Sequence, residues 1–355
     1  MNSRPSLDFP GAYVVDELDL EQIPRGTCTR VMVDLIHDGL GRSLRLPVMI
    51  GRGKHPGPVL GLTAALHGNE LNGIPIIHRL FDAIDLNTLR GTVIGVMVVN
   101  VPAYLNNQRT FDDRTDMNHV MPGKPNGSIA EIYAYRFIHR IVRRFEYLID
   151  LHTASFGNIN SLYVRADMTN EVTAKMAYLQ RPQIILHNSP SDRTLRGTTS
   201  ELGIPSITVE IGDPQVFQSK VIAASLTGVR RVMAEIGMLT KRSTAKAGPQ
   251  PVLCSKSDWI YADRGGLLEV LPKPTALVIK GEVIALQRNI FGEVICQYRA
   301  PHDGIVIGKS MNPVAQTGAR ILNLGLITSP DKYAFYTQHE QPAPEAPTLE
   351  NLAIH

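Results

Sequence analysis

Between residues 59 and 235 short apolar runs alternate with stretches of helical periodicity. Such alternation marks strand–helix units stacked around a largely parallel sheet. The runs at 59–66, 92–100, 147–151, 183–186 and Ser206–Ile211 are rich in Val, Ile and Leu, as strands covered on both faces require. Helices are predicted at 71–83, 129–145, Glu171–Leu179 and 215–236. Ser128, with Glu131 three residues on, forms a capping box ahead of the second helix, and Gly237 closes the last. Residues 100–128 do not fit the pattern: about 27 positions pass without a convincing element, where connections ordinarily run about 4–6. A loop of that length is expected to be functional or disordered.

The pattern changes after Gly237. LTKRSTAKAGPQP at 239–251 reads as a linker, and from 252 to about 330 short β-type runs alternate with Gly and Pro. The expected division is an α/β domain over 1–239, a small β-barrel-like domain over 252–330, and a mobile tail over 340–355, where Pro and Glu recur with little apolar surface to bury. A chain of 355 residues with 43% hydrophobic content supports two domains.

Charge and targeting signals narrow the class of function. The 36 basic and 33 acidic residues leave +3 without runs of one sign, which argues against nucleic acid as a partner and for a small molecule. No segment is apolar for the roughly 18 residues a membrane span needs, and the opening residues carry no signal-peptide pattern, so a cytoplasmic protein is expected. Cys28, Cys254 and Cys296 are scattered, which indicates neither a disulfide framework nor a thiolate metal site. Any metal chemistry therefore uses nitrogen and oxygen ligands.

Such ligands stand at predicted strand ends. In LTAALHGNELNGIP, His67 leaves the carboxyl end of a strand and Glu70 follows in the turn that enters a helix. Open α/β sheets bind ligands at that edge. In YLIDLHTASFG, His152 again follows an apolar strand. Two histidines and a carboxylate make a catalytic zinc set that leaves a fourth position for water. Asp150, two residues before His152 on the same strand, points to the same side and either accepts the other ring N–H of His152 or serves as a local cap or Arg partner. Glu210 closes the run SITVEI at a third strand end, where partial burial raises a carboxylate's pKa and suits it to general-base work. The competing reading is a buried Glu paired with an Arg.

With HGNE at 67–70, NNQRTFDDRTDMNHVMPG at 106–123, DLHTASFG at 150–157 and TVEIG at 208–212, the sequence resembles the succinylglutamate desuccinylase and aspartoacylase family, relatives of the zinc carboxypeptidases, over most of its length. The resemblance implies a zinc-carboxypeptidase-like mixed, largely parallel sheet flanked by helices, a small C-terminal β-rich domain, one zinc ion per chain, and hydrolysis of an amide joining an acyl group to an amino acid. It implies that Arg109 polarises the scissile carbonyl and that Asn118 and the residue after it hold the substrate carboxylate. That residue is His119, where the family commonly places Arg, and histidine lacks the bidentate, permanent charge. Arg114 or Arg196 is a candidate substitute, Arg196 being as readily a surface residue. The segment APHDGIVIG at 300–308 resembles the small barrels appended to this family, which are expected to cap the active-site rim or to mediate homo-oligomers.

The expected function is zinc-dependent deacylation of an N-acyl amino acid, with Glu210 as base and Asp113 or Glu201 as stand-ins. The alternatives are a carboxypeptidase acting on short peptides and a non-catalytic ligand-binding relative.

Overall fold

The computed structural model describes residues 3–190, 193–240 and 249–330. Within the first part, strands β1 (Arg4–Pro5), β2 (Ala12–Val15), β3 (Thr27–His37), β4 (Ser43–Arg52) and β5 (His55–Ala64) lead to helix α1 (Gly73–Ala83). Then come β6 (Arg90–Val96), α2 (Val101–Leu105), α3 (Ile129–Arg140), β7 (Tyr147–His152), β8 (Asn158–Asn160), β9 (Leu162–Ala166), α4 (Glu171–Leu179), β10 (Ile184–His187), α5 (Leu195–Glu201), β11 (Ser206–Ile211) and α6 (Ser219–Glu235). The remainder is all strand: β12 (Val252–Tyr261), β13 (Gly266–Val270), β14 (Leu277–Val278), β15 (Val283–Arg288), β16 (Val294–Arg299), β17 (Gly304–Ser310), β18 (Val314–Ala315) and β19 (Arg320–Ile327).

The centre of the sheet runs β4-β6-β5-β7-β11-β9-β10-β12. Its heart, β6-β5-β7-β11, is parallel throughout, so four consecutive carboxyl ends lie side by side on one edge. Every residue of β11 is buried, as a doubly covered strand requires. On one face, Ile76, Ile77 and Leu80 of α1 pack in a common core with Met176 of α4 and Val229, Val232 and Met233 of α6. On the other, Tyr133, Ala134 and Phe137 of α3 join Leu195 and the N-terminal strands. The molecule is thus a mixed α/β fold with a mostly parallel centre and helices on both faces.

The predicted elements appear with adjusted ends. The helix expected over 129–145 stops at Arg140, because Ile141 leaves helical geometry (φ −126°, ψ −62°) and a single 3-10 turn, Val142–Arg144, follows. Its start holds as expected: the Ser128 side chain accepts from Glu131 N–H (3.3 Å) and Glu131 Oε2 from Ser128 N–H (2.9 Å). Strands β3 and β4 alternate buried with half-buried positions in place of continuous apolar runs, so the criterion that finds β5, β6 and β7 passes over them. Residues 100–128 are not wholly irregular: α2 opens them, and Met117–His119 forms a 3-10 turn capped by Asp116.

The C-terminal strands are stitched to the main sheet. Strand β12 pairs in parallel with β10 and antiparallel with β19, and β19, β17 and β14 carry the sheet onward. Strand β8, just after His152 in sequence, crosses to pair with β17. Only β16-β15-β13-β18 form a separate antiparallel sheet among the described residues. The linker expected over 239–251 is described only at its ends, and the tail expected over 340–355 lies outside the described residues.

Candidate active site

Three of the four side-by-side strand ends carry the candidate residues. Beyond β5 the backbone bends at Ala65, whose φ of 49° lies in the left-handed region that non-glycine residues adopt only at a cost of order 1–3 kcal/mol. The bend is followed by His67. Gly68 is required there, since a Cβ would stand 2.1 Å from the backbone of Ala103 and Tyr104 in α2. Glu70 ends the turn, with its N–H donating to the His67 carbonyl (3.0 Å). Asn72, fully buried, ties this turn to the end of β11 by donating to the Ile211 carbonyl (2.8 Å). His152 is the last residue of β7, in register with Glu210 on β11.

His67, Glu70 and His152 are all buried, and their donor atoms lie within 4.8 Å of one another. Glu70 stands between the two imidazoles: Oε1 is 2.9 Å from His67 Nδ1 and Oε2 is 2.9 Å from His152 Nδ1. Each ring turns its other nitrogen to an aspartate. His152 Nε2 is 2.7 Å from Asp150 Oδ2, and Asp150 is steadied by the Thr63 hydroxyl (2.6 Å). His67 Nε2 is 3.1 Å from Asp116 Oδ1. These carboxylate–histidine pairs orient the rings and raise their basicity. Burial disfavours protonation of both rings, but the carboxylates around them prevail and raise both pKa values, that of His152 strongly. Burial likewise opposes ionisation of Glu70, yet the two imidazoles hold its carboxyl well below the usual range. Two imidazole nitrogens and a carboxylate converging on one point fit a divalent cation such as zinc.

Arg109 enters this cluster from the long loop. Its Nη1 lies 3.1 Å from Glu70 Oε1 and 3.3 Å from His67 Nδ1, and it also donates to the Ser155 hydroxyl. Its Nε and Nη2 grip Asp116 Oδ2 at 3.0 and 2.9 Å. Asp116 thus holds His67 with one oxygen and Arg109 with the other. Despite its partial burial, its carboxyl is kept far below the ordinary range by His67 and Arg109.

Glu210 faces the cluster from β11. Burial raises its pKa, against the lowering pull of Arg165 and the histidines. The Arg-paired reading of this residue is seen: it is a buried carboxyl at the sheet edge, and Arg165 Nε stands 3.5 Å from its Oε1. Asn160 donates to its Oε2 (3.4 Å). Arg165 is held in turn by the buried Tyr163 hydroxyl (2.8 Å).

The substrate-binding candidates are scattered. Asn118 Oδ1 accepts from Leu195 N–H (2.8 Å), fastening the loop to the start of α5. His119 is 70% exposed, with Nε2 4.0 Å from Asp116 Oδ2. Arg114 is exposed on a left-handed residue (φ 64°). The surface reading of Arg196 is corrected: it is buried, and it donates to the Asn188 carbonyl (3.0 Å) and side-chain oxygen (2.7 Å), bracing the segment ahead of α5. Asp113 caps an exposed turn through Thr115 N–H (2.9 Å), and Glu201 is exposed at the end of α5.

Residues 56–236 match the succinylglutamate desuccinylase/aspartoacylase catalytic domain family, half of the chain. The chain belongs to this family. An N-alpha-acetyl-L-2,4-diaminobutyric acid deacetylase from Halomonas elongata is 24% identical over 280 residues, covering 75% of this chain and 81% of that protein. The product-bound ectoine utilization protein EutE (DoeB) from Ruegeria pomeroyi shares the fold with a TM-score of 0.77 at 21% identity, covering 86% of this chain and 98% of that one. A succinylglutamate desuccinylase/aspartoacylase from Rhodobacter sphaeroides does so with a TM-score of 0.77 at 19% identity over the same shares.

Within this family member's own chain, sequence reasoning passed over Asp116, Ser155, Asn160 and Arg165. Asp116 had a usable signal, the D-x-N spacing beside Arg109. The other three had none, because their positions follow from the β8–β9 excursion and the turn after His152.

Proposed function

We propose that the protein is a zinc-dependent deacylase that hydrolyses the amide bond of a small N-acyl amino acid or related N-acylated amine. The observation that carries this reading is the buried trio His67, Glu70 and His152 with Glu210 facing it from the neighbouring strand. Family membership and the similar Halomonas elongata deacetylase support it. His67, Glu70 and His152 would hold the zinc, with Asp116 and Asp150 orienting the rings. When bound, zinc supplies a Lewis acid that makes a water nucleophilic near neutral pH and polarises a carbonyl.

The chain's own residues do the rest. Glu210, whose pKa burial has raised, takes the proton of the attacking water and returns it to the leaving amine. Arg109, anchored by Asp116, directs Nη1 toward the cluster and donates to the carbonyl oxygen as charge develops there. His119, exposed and without a fork of donors, leaves weak recognition of a carboxylate on that side. In this reading residues 1–239 form the catalytic domain and 252–330 an appended β domain.

The test is to load the protein with zinc, remove the excess, and incubate it with N-acetyl, N-succinyl and N-formyl amino acids while measuring free amine. Release of amine that a chelator abolishes supports the deacylase. Stoichiometric zinc with no release from any substrate, peptides included, points to a binding protein.

A further inference from the structure

Three segments distant in sequence are linked to one another beside the donor cluster, and each presents apolar side chains to solvent. The Ser155 hydroxyl donates to Glu70 Oε1 (3.0 Å), and its neighbour Phe156 is 73% exposed. Gln215 N–H donates to the Asn69 carbonyl (3.1 Å) inside the HGNE turn, and the next two residues, Val216 and Phe217, are 47% and 61% exposed. Ala154 N–H donates to the Gly212 carbonyl (2.8 Å), joining these two segments. Met311, in the turn between β17 and β18, donates its N–H to the Gly157 carbonyl (2.7 Å) and is 57% exposed. One exposed apolar residue needs no explanation; four drawn together from three segments around a candidate catalytic centre mark a place where apolar matter binds.

Charge narrows what binds there. Residues 153–157, 212–218 and 311–312 together contain one ionisable charge, that of Asp213, and it is acidic. A carboxylate-bearing acyl group would meet that acid on these segments, and the cation that touches them, Arg109 at the Ser155 hydroxyl, is already engaged by Glu70 and Asp116. Resting on the deacylase reading, we propose that this rim receives the acyl group of the substrate and that the group is uncharged and apolar, an aliphatic chain of several carbons or an aryl ring. The C-terminal strands then have a part in specificity, because Met311 reaches the rim through the pairing of β17 with β8.

Binding and turnover test this separately. Calorimetry on the zinc-loaded protein with acetate, butanoate, hexanoate and octanoate is expected to show affinity rising about two- to fourfold per methylene, the gain that removal of a CH₂ from water provides. Phe156→Ser and Phe217→Ser, both at exposed positions, are expected to flatten that rise, and to lower the N-hexanoyl to N-acetyl ratio of kcat/KM for amino acid substrates. Equal affinity for acetate and octanoate overturns the rim proposal. So does a variant that converts a wild-type dimer to a monomer in sedimentation, since the rim is then a contact between copies. Turnover without chain-length preference defeats the rim and leaves the deacylase standing. No turnover of any N-acyl amino acid, with the rim-dependent rise in carboxylate affinity intact, defeats the deacylase reading and leaves the apolar site.

Discussion

The donor cluster and the loop that overhangs it come from neighbouring strands but are held in place differently. His67, Glu70 and His152 are buried at the ends of β5 and β7, where parallel register aligns the strands and the packed core leaves the side chains little freedom. Residues 106–123 lie largely at the surface, and their side chains are fixed one by one by what each meets: Phe111, Met117 and Met121 by burial in the core, Asn118 by Leu195, Arg109 by Glu70 and Asp116, and Asp116 by His67. Arg114 and His119, a few residues away, extend into solvent. A strand end specifies a side chain's position through the sheet, whereas a loop specifies only those residues that have found a partner.

The sharpest break of this comparison removes a donor. His67→Ala, Glu70→Ala and His152→Ala are each expected to take zinc from about one ion per chain to near zero, because a catalytic site rarely has protein ligands to spare. Elemental analysis after gel filtration reads the result, and full zinc in any variant takes that residue out of the set. Glu210→Gln should keep zinc and fold while turnover falls by about 10²–10⁴, the ordinary contribution of a general base. Near-normal rates would transfer the role to another carboxylate.

The loop is expected to give smaller and more selective effects. Arg109→Ala should lower kcat by roughly 10²–10³ with a lesser change in KM, as loss of an oxyanion donor does. Asp116→Asn keeps the shape but weakens the hold on His67 and Arg109 together, so zinc affinity should drop about 10–100-fold. A competition titration against a chelator measures it, and unchanged affinity would detach Asp116 from the metal site. His119→Ala should raise KM a fewfold and leave kcat nearly alone, as expected of a mostly exposed side chain. If His119→Ala abolishes kcat while Arg109→Ala alters only KM, the roles within the loop are reversed.

Much of the centre was legible because its physics is local. Continuous Val, Ile and Leu runs announce doubly covered strands, and β11 has the bounds its pattern predicts. A histidine just past such a run has to emerge at the carboxyl edge, so His67 and His152 were readable together with Asp150 two residues back. Arg196 was not readable in the same way: burial and its bonds to Asn188 depend on how α5 sits, and the TLRGTTSELG segment does not announce a helix. Asn160 and Arg165 come to Glu210 only because β8 and β9 fold back beside β11.

The sequence by itself determined the α/β class, the placing of His67, Glu70 and His152 at strand ends as candidate ligands, the buried carboxyl of Glu210 and the β character of residues 252–330, because period, burial and turn chemistry act over a few residues. Tertiary structure decided what surrounds them. It placed Asp116 between His67 and Arg109, joined β12 to β10 and β17 to β8, and linked the backbone of the segments that carry Phe156, Phe217 and Met311. Apart from the Arg109–Asp116 pair, those relations join segments far apart in the chain, 49 residues for His67 and Asp116, a scale on which chain closure and packing, not local preference, select the partner.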